Sequence, residues 1–353
     1  MVAGATELRV GLIGFGTAGA AFHAPLIATT PGLRLAAIVT REPARRAQAG
    51  REHPGAAILD DADALLARAA ALDLAVVATP NRTHVPLAMA ALEAGLAVVV
   101  DKPLATSAAD ARALVSEARR RGRMLTVYQN RRWDGDFLTM RRLVAEGAVG
   151  EPLRLESRFE RWRPTPKPGW RESGDPAEGG GLLFDLGSHL VDQALLLLGP
   201  VVRVYAELDR RRPDVRTDDD AFVALEHATG ARSHLHMNVV SAQTGPRFRL
   251  LGRRGSYVKH GLDVQEEALR GGARPGPGWG EEPEERWGRL GVGDEARPVR
   301  TEPGAYPRFY DVVAESLRTG APPPVDPADA VAALEVIEAA RRSAHERVVV
   351  AMP

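Results

Sequence analysis

The stretch Leu8-Arg9-Val10-Gly11-Leu12-Ile13, followed at once by Gly14-Phe15-Gly16-Thr17-Ala18-Gly19, constrains this chain more than any other feature. A short apolar run is the signature of a buried strand. A strand that turns through three glycines into a helix is the first unit of a dinucleotide-binding fold. Each glycine meets a separate demand. Gly14 permits the tight turn, Gly16 lets the backbone approach a pyrophosphate, and Gly19 lets the helix pack closely on the strand. The anion would lie at the helix N-terminus, where unpaired N–H groups and the helix dipole favour negative charge. Phe15, Thr17 and Ala18 complete the expected cofactor-binding turn.

A second strand, Leu33 to Val39, ends about 20 residues beyond the turn, where an NAD-preferring site carries Asp or Glu for the ribose 2′-hydroxyl. This chain has Thr40-Arg41 there, with Arg45 and Arg46 one helical turn further on. A guanidinium suits a phosphate and a threonine hydroxyl adds a hydrogen bond, so NADP is the expected cofactor. Glu42 keeps NAD open as an alternative.

The 353 residues suggest two domains with enough core to fold without staples. The 46 basic and 46 acidic residues cancel, so nothing argues for a nucleic-acid or anionic-membrane partner. The absence of cysteine removes thiol catalysis, disulfides, iron–sulfur clusters and thiolate zinc sites together. Met1 to Glu7 does not read as a signal peptide, and no run approaches the roughly 20 apolar residues of a membrane helix. A cytoplasmic location is expected.

Strands and helices alternate up to Tyr128, as a doubly wound parallel sheet requires. Strand ends fall at Gly16, Thr40, Thr79 to Asn81, Lys102 and Tyr128 to Asn130, and ligands gather at such ends. Beyond about residue 150, strand-like runs recur with polar–apolar alternation, which predicts an open, mainly antiparallel sheet. One helix, Leu183 to Leu198, interrupts them, and another starts at Pro327 with Asp326 as its cap. Two long stretches, Arg163 to Gly181 and Gly271 to Arg289, read as irregular. The expected fold is therefore α/β: a Rossmann domain over residues 1–125 and an α+β domain over 126–353.

Six segments together resemble one family. They are the glycine turn, Phe22-His23-Ala24-Pro25, Thr79-Pro80-Asn81-Arg82-Thr83-His84, Asp101-Lys102-Pro103, Gly179-Gly180-Gly181 and Asp185-Leu186-Gly187-Ser188-His189. In that order the chain resembles the glucose–fructose oxidoreductase / inositol dehydrogenase / rhizopine catabolism (Gfo/Idh/MocA) family. The segments Tyr128 to Leu138 and Gly261 to Arg270 resemble a branch that includes NADP-dependent scyllo-inositol dehydrogenases. The resemblance implies hydride transfer at a carbon of a sugar or cyclitol, with Lys102, Asp185 and His189 as catalytic residues. It also implies a homodimer or homotetramer formed through the C-terminal sheet. One position departs from the pattern: the family usually has Glu before the Lys-Pro pair, and here Asp101 is one methylene shorter.

These residue types suit the chemistry. A histidine, with an ordinary pKa near 6.5, can take the hydroxyl proton of a secondary alcohol. Asp185 lies four residues before His189, one helical turn away, close enough to orient the ring or bind a substrate hydroxyl. Lys102 would donate to the same oxygen and stabilise a developing alkoxide. Thr79, Pro80, Asn81 and His84 are expected beside the cofactor, with Lys102. Asn130, Arg131 and Arg132 follow a strand end and are expected beside the substrate, with Arg131 or Arg132 bracing the two domains as the alternative. Trp162 and Trp170 could stack on a sugar ring or simply pack their loop. His234 and His236 share a strand face without a third ligand, so no metal is expected. Two other functions stay open at this point: a dinucleotide-sensing regulatory protein without catalysis, and an NAD-assisted glycosidase.

Overall fold

The computed structural model describes residues 7–166, 172 and 179–353; Trp170 lies outside them. The chain forms two compact units. The first gathers Met1–Asn130, Gln265–Trp279 and Ala305–Val331; the second gathers Arg131–Val264, Gly280–Gly304 and Ala332–Pro353.

The first unit is built on six strands: β1 (Leu8–Ile13), β2 (Leu33–Val39), β3 (Ala57–Leu59), β4 (Leu74–Val77), β5 (Ala97–Asp101) and β6 (Leu125–Tyr128). They run in the order β3-β2-β1-β4-β5-β6, and every neighbouring pair is parallel. The order reverses between β1 and β4, which opens a crevice at the carboxyl ends of those strands. Leu74 to Val77 and Val98 to Val100 are fully buried, as strands covered on both faces must be. Short side chains start the surrounding helices. Asp61 accepts from Ala64 N, and Ser107 accepts from Asp110 N at 3.0 Å while its hydroxyl donates to Asp110. Gly122, at φ +61°, ends the helix Ala108–Arg121. A helix the sequence did not announce, Pro307–Thr319, buries Phe309, Tyr310 and Val313 in this unit.

The second unit carries a nine-stranded sheet: β7 (Pro152–Glu160), β8 (Val201–Asp209), β9 (Asp220–His227), β10 (Arg232–Asn238), β11 (Phe248–Gly252), β12 (Gly255–Lys259), β13 (Gly288–Gly291), β14 (Arg297–Val299) and β15 (Val350–Ala351). All pairings are antiparallel except β7 with β10. Along β9 and β10 every second side chain is buried. Onto that buried face packs the helix Ser188–Leu198, and a Cβ at Gly187 would lie 3.0 Å from Met237 Sδ. The expected helix from Leu183 begins as a wider π-type turn, Leu183–Gly187. Asp326 caps the last helix by accepting from Ala328 N at 2.9 Å. Of the two stretches read as irregular, Gly271 to Arg289 contains a short helical turn, Glu284–Arg286, and the start of β13. Its tryptophans anchor it: Trp279 donates to Gln265 Oε1 at 2.9 Å within the first unit, and Trp287 to Glu282 O at 3.3 Å within the second.

Candidate active site

In the first unit the glycine turn divides its labour as steric demands require. Gly14 has φ +104°, and a Cβ there would lie 2.4 Å from Ala78 O. A Cβ at Gly19 would lie 2.0 Å from Gly14 O. Both positions are taken up by the chain's own backbone. At Gly16 the nearest neighbour of a Cβ would be Arg45 Nη1 at 3.8 Å, so the turn is open at the one glycine meant for a phosphate. Phe15 is buried edge-on against His53, whereas Thr17 is exposed and Ala18 partly so. The residues therefore fit a dinucleotide.

At the end of β2, Thr40 is buried, its N–H donating to Leu59 O. Arg41 is exposed, and its Nε donates to Asp60 O at 3.1 Å. Arg46 donates to Thr40 O and to Asp60 Oδ1. Glu42 folds back as the N-cap of the helix Pro43–Glu52, accepting from Ala44 N at 2.9 Å and Arg45 N at 3.0 Å. Its carboxylate is thereby spent on the helix terminus.

The loops after β4 and β5 are tied to each other. His84 is buried, with its ring nitrogens 2.8 Å from Pro103 O and 2.9 Å from Thr79 O. Burial holds this ring below the ordinary histidine value, helped by Lys102 and opposed by Asp101 and the two carbonyls. Neutral, it donates one N–H and so serves one carbonyl at a time. The geometry gives His84 the role of a tie between the two loops. Thr83 Oγ donates to Thr79 Oγ at 2.7 Å, Pro80 is exposed and Asn81 is buried. Lys102 is half-buried at the end of β5, its N–H donating to Asp101 Oδ1 at 2.9 Å.

Asp101 also faces His23, which the sequence reads as structural or adjacent to the cofactor. The π-type turn Gly19–His23 carries His23 into the interior, 0 % exposed. Its Nδ1 is 2.6 Å from Tyr310 Oη, its Nε2 is 3.8 Å from Asp101 Oδ1, and its ring lies on Tyr128 at 4.4 Å. Burial alone would raise the Asp101 carboxyl. His23, Lys102 and His84 together outweigh it and hold the group below the usual carboxylate value.

In the second unit Asp185 lies in the π-type turn and His189, 4 % exposed, in the helix that follows. Asp218 fixes the start of this segment. Its Oδ2 accepts from Leu183 N at 2.7 Å and its backbone carbonyl from Leu182 N at 3.0 Å. Burial pushes its carboxyl up against the pull of those N–H groups. Gly181 has φ +93°, and a Cβ there would lie 2.1 Å from Asp218 Oδ1. A glycine precedes the site because a carboxylate fills the space of any side chain. Further along the helix, Asp192 receives a two-pronged pair from Arg132, at 2.8 and 2.6 Å, with both side chains buried. Gln193 Nε2 donates to Arg131 O at 2.9 Å. Arg131 is 5 % exposed, its guanidinium 4.6 Å from the centre of Phe159, a ring it shares with Arg247 at 4.2 Å. Thus the segment around Arg131 and Arg132 grips the helix of His189. Asn130, at the end of the first unit's opening stretch, is buried. Trp162 is 59 % exposed, and its backbone bridges to Val240. His234 and His236 lie against Phe222 on their strand face. Among the described residues no helix is long and apolar enough to cross a membrane.

Asp218, Tyr310 and the Arg132–Asp192 pair were not assigned roles from sequence or were assigned only loosely. The run Asp218-Asp219-Asp220 is the sequence signal for the first of these.

Comparison with known proteins converges on the same picture. Residues 8–129 match the model of the oxidoreductase family with an NAD-binding Rossmann fold, and residues 137–258 match the GFO/IDH/MocA C-terminal domain. The uncharacterized oxidoreductase YdgJ of Escherichia coli K12 is 41% identical, with 97% of each chain covered. The scyllo-inositol 2-dehydrogenase (NADP(+)) IolW of Bacillus subtilis is 32% identical, covering 96% of this chain and 94% of the relative. The solved structure of the oxidoreductase yvaA from Bacillus subtilis superposes with a TM-score of 0.92 over 99% of both chains at 31% identity. With a glycine turn shaped for a dinucleotide and a mainly antiparallel sheet following it, this chain belongs to the Gfo/Idh/MocA family of oxidoreductases.

Proposed function

We propose that this oxidoreductase is an NADP-preferring dehydrogenase acting on a secondary alcohol of a cyclitol or sugar, with an inositol-type substrate. The observation that carries the cofactor preference is the end of β2. Arginines gather there, Arg45 lies nearest the open Gly16, and Glu42, 3.7 Å from Arg45 Nε, is spent as a helix cap. A 2′-phosphate would find cations, whereas a bare ribose would find no uncommitted carboxylate at Glu42. The substrate class rests on the similarity to IolW, whose name gives scyllo-inositol and NADP(+).

Oxidation of such an alcohol removes a hydride from carbon and a proton from oxygen, and a bound nicotinamide supplies the hydride acceptor. The remaining chemistry falls to this chain. His189 accepts the hydroxyl proton, Asp185 orients the ring or a substrate hydroxyl, and Lys102 stabilises negative charge on the oxygen. Arg131, Asn130 and the exposed Trp162 are assigned to substrate contact, and Thr79 to Asn81 to the cofactor.

The test is NADPH formation from NADP with a panel of inositols and free sugars, repeated with NAD. Lys102→Ala and His189→Ala should each lower turnover by at least about 100-fold with NADPH affinity retained. Near-normal turnover in both variants would overturn the assignment. Cofactor binding without turnover on any polyol would favour a sensor, and aglycone release without net NADPH formation would favour a glycosidase.

A further inference from the structure

We propose that Tyr310, His23 and Asp101 form a buried relay that aligns Lys102, with His23 as a positioning residue for the reaction. The inference rests on the reading of Lys102 given above, and it accounts for the Phe22-His23-Ala24-Pro25 motif, which that reading left without a function.

The argument starts from what each atom can do. Tyr310 is fully buried, and burial, with Tyr128 and Asp101 nearby, drives its phenol well above its usual value. It therefore keeps its proton, and its hydroxyl lies 2.6 Å from His23 Nδ1. The Asp101 carboxylate favours the ring tautomer that accepts the phenol hydrogen at Nδ1, because that tautomer carries its own hydrogen on Nε2. That atom is fully enclosed, has no hydrogen-bond partner among the described residues, and faces Asp101 Oδ1 at 3.8 Å. The contact is electrostatic at that distance, and a shift of less than about 1 Å would make it a hydrogen bond. The same Oδ1 accepts the backbone N–H of Lys102 at 2.9 Å. One oxygen thus links the relay to the backbone of the lysine. The ring itself is clamped by Tyr128 and Tyr310, at centroid distances of 4.4 and 6.1 Å. Most fully buried histidines have both nitrogens satisfied. This one aims its second nitrogen at the carboxylate beside the lysine.

The test compares His23→Asn, whose amide can replace Nδ1 toward Tyr310, with His23→Gln, whose amide can replace Nε2 toward Asp101. Turnover is measured with scyllo-inositol and NADP, together with NADPH affinity by fluorescence titration and the thermal midpoint. A second readout needs no turnover. The chain has only three lysines, Lys102, Lys167 and Lys259, so ¹³C-dimethylated lysine signals are few, and Lys102 is assigned with Lys102→Arg. The expected result is a kcat about tenfold lower in His23→Asn, with KM and NADPH affinity within about twofold. The Lys102 signal should move and the Lys259 signal stay. His23→Gln should restore kcat to within about threefold and return the Lys102 signal toward the wild type. Equal behaviour of the two variants, or a loss confined to KM, cofactor affinity or thermal midpoint, would overturn the relay. A wild-type kcat and Lys102 signal in His23→Asn, with Lys102→Met inactive, would overturn the relay alone. Full activity in Lys102→Met would overturn the assignment of Lys102 and the relay with it.

Discussion

Replacing Asp136 by asparagine should stabilise the second unit at neutral pH and leave it nearly unchanged in mild acid. Asp136 is 1 % exposed near the start of the helix Gly135–Ala145. Its Oδ1 accepts from Phe137 N at 2.7 Å, while its Oδ2 is buried with no hydrogen-bond partner among the described residues. Burial and the negative charge of Asp263 outweigh Arg247, Lys259 and the Phe137 N–H, and the carboxyl is pushed up from 3.8 to about 6. The folded chain therefore keeps a proton that the unfolded chain has already released. Stability from this group is fully present below about pH 4 and is lost as pH rises through about 6. A shift of about two units at about 1.4 kcal/mol each amounts to about 3 kcal/mol. Asparagine supplies a neutral amide in place of the protonated carboxyl and removes the dependence. Urea unfolding followed by tryptophan fluorescence should show no difference from wild type near pH 4. The difference should grow to about 3 kcal/mol in favour of the variant near pH 7.5. A difference independent of pH, or a variant less stable than wild type at neutral pH, would refute the reasoning.

The glycine turn gives a paired prediction. Gly19→Ala should lower the thermal midpoint, because its Cβ would meet Gly14 O at 2.0 Å, whereas Gly16→Ala should fold normally and weaken NADPH by at least about tenfold. The reverse pattern in melting and fluorescence titration would show that the turn is not a phosphate cradle. Arg45→Ala should raise the NADPH dissociation constant about tenfold, more than Arg41→Ala does, with NADH affinity within about twofold. Equal losses for both cofactors would remove Arg45 from 2′-phosphate recognition and leave it beside the pyrophosphate that both share. Arg132→Met or Asp192→Leu alone should cost about 3–5 kcal/mol, because each strands a buried charge, and the double variant should recover much of that loss. An additive double variant, measured by urea unfolding, would mean that the pair is not coupled.

The local signals were legible because local physics decides them. A glycine turn after a buried strand, Asp326 as a cap, and the Leu183 to Leu198 helix all follow from neighbours within a few residues. What escaped depends on distant partners. Tyr310 lies 287 positions from His23, and the cap on Leu183 comes from Asp218, 35 positions later. β13 reads Gly-Arg-Leu-Gly, too short and glycine-rich to signal a strand; it forms because β12 supplies its partner, and a Cβ at Gly288 would lie 2.4 Å from Tyr257. The basic cluster after β2 was visible, yet which arginine lies beside Gly16 depends on how Glu42 turns the following helix. Sequence pointed to Arg41; the structure puts Arg45 nearer the turn.

The chain crosses between its two units five times, at residues 130, 264, 279, 304 and 331, and this sets the order in which the protein can be made. When the sixth parallel strand leaves the ribosome, Thr126 still lacks the Val325 carbonyl that it meets in the finished unit, and His23 still lacks Tyr310. Roughly 200 further residues must be synthesised first, which takes about 10–40 s at ordinary elongation rates. Through that interval the nascent dinucleotide half exposes the aromatic surface of Tyr128 that Phe309 later covers. The cofactor half is thus the first begun, is complete only once residue 331 has been made, and of the two units stays unfinished over the longer stretch of synthesis.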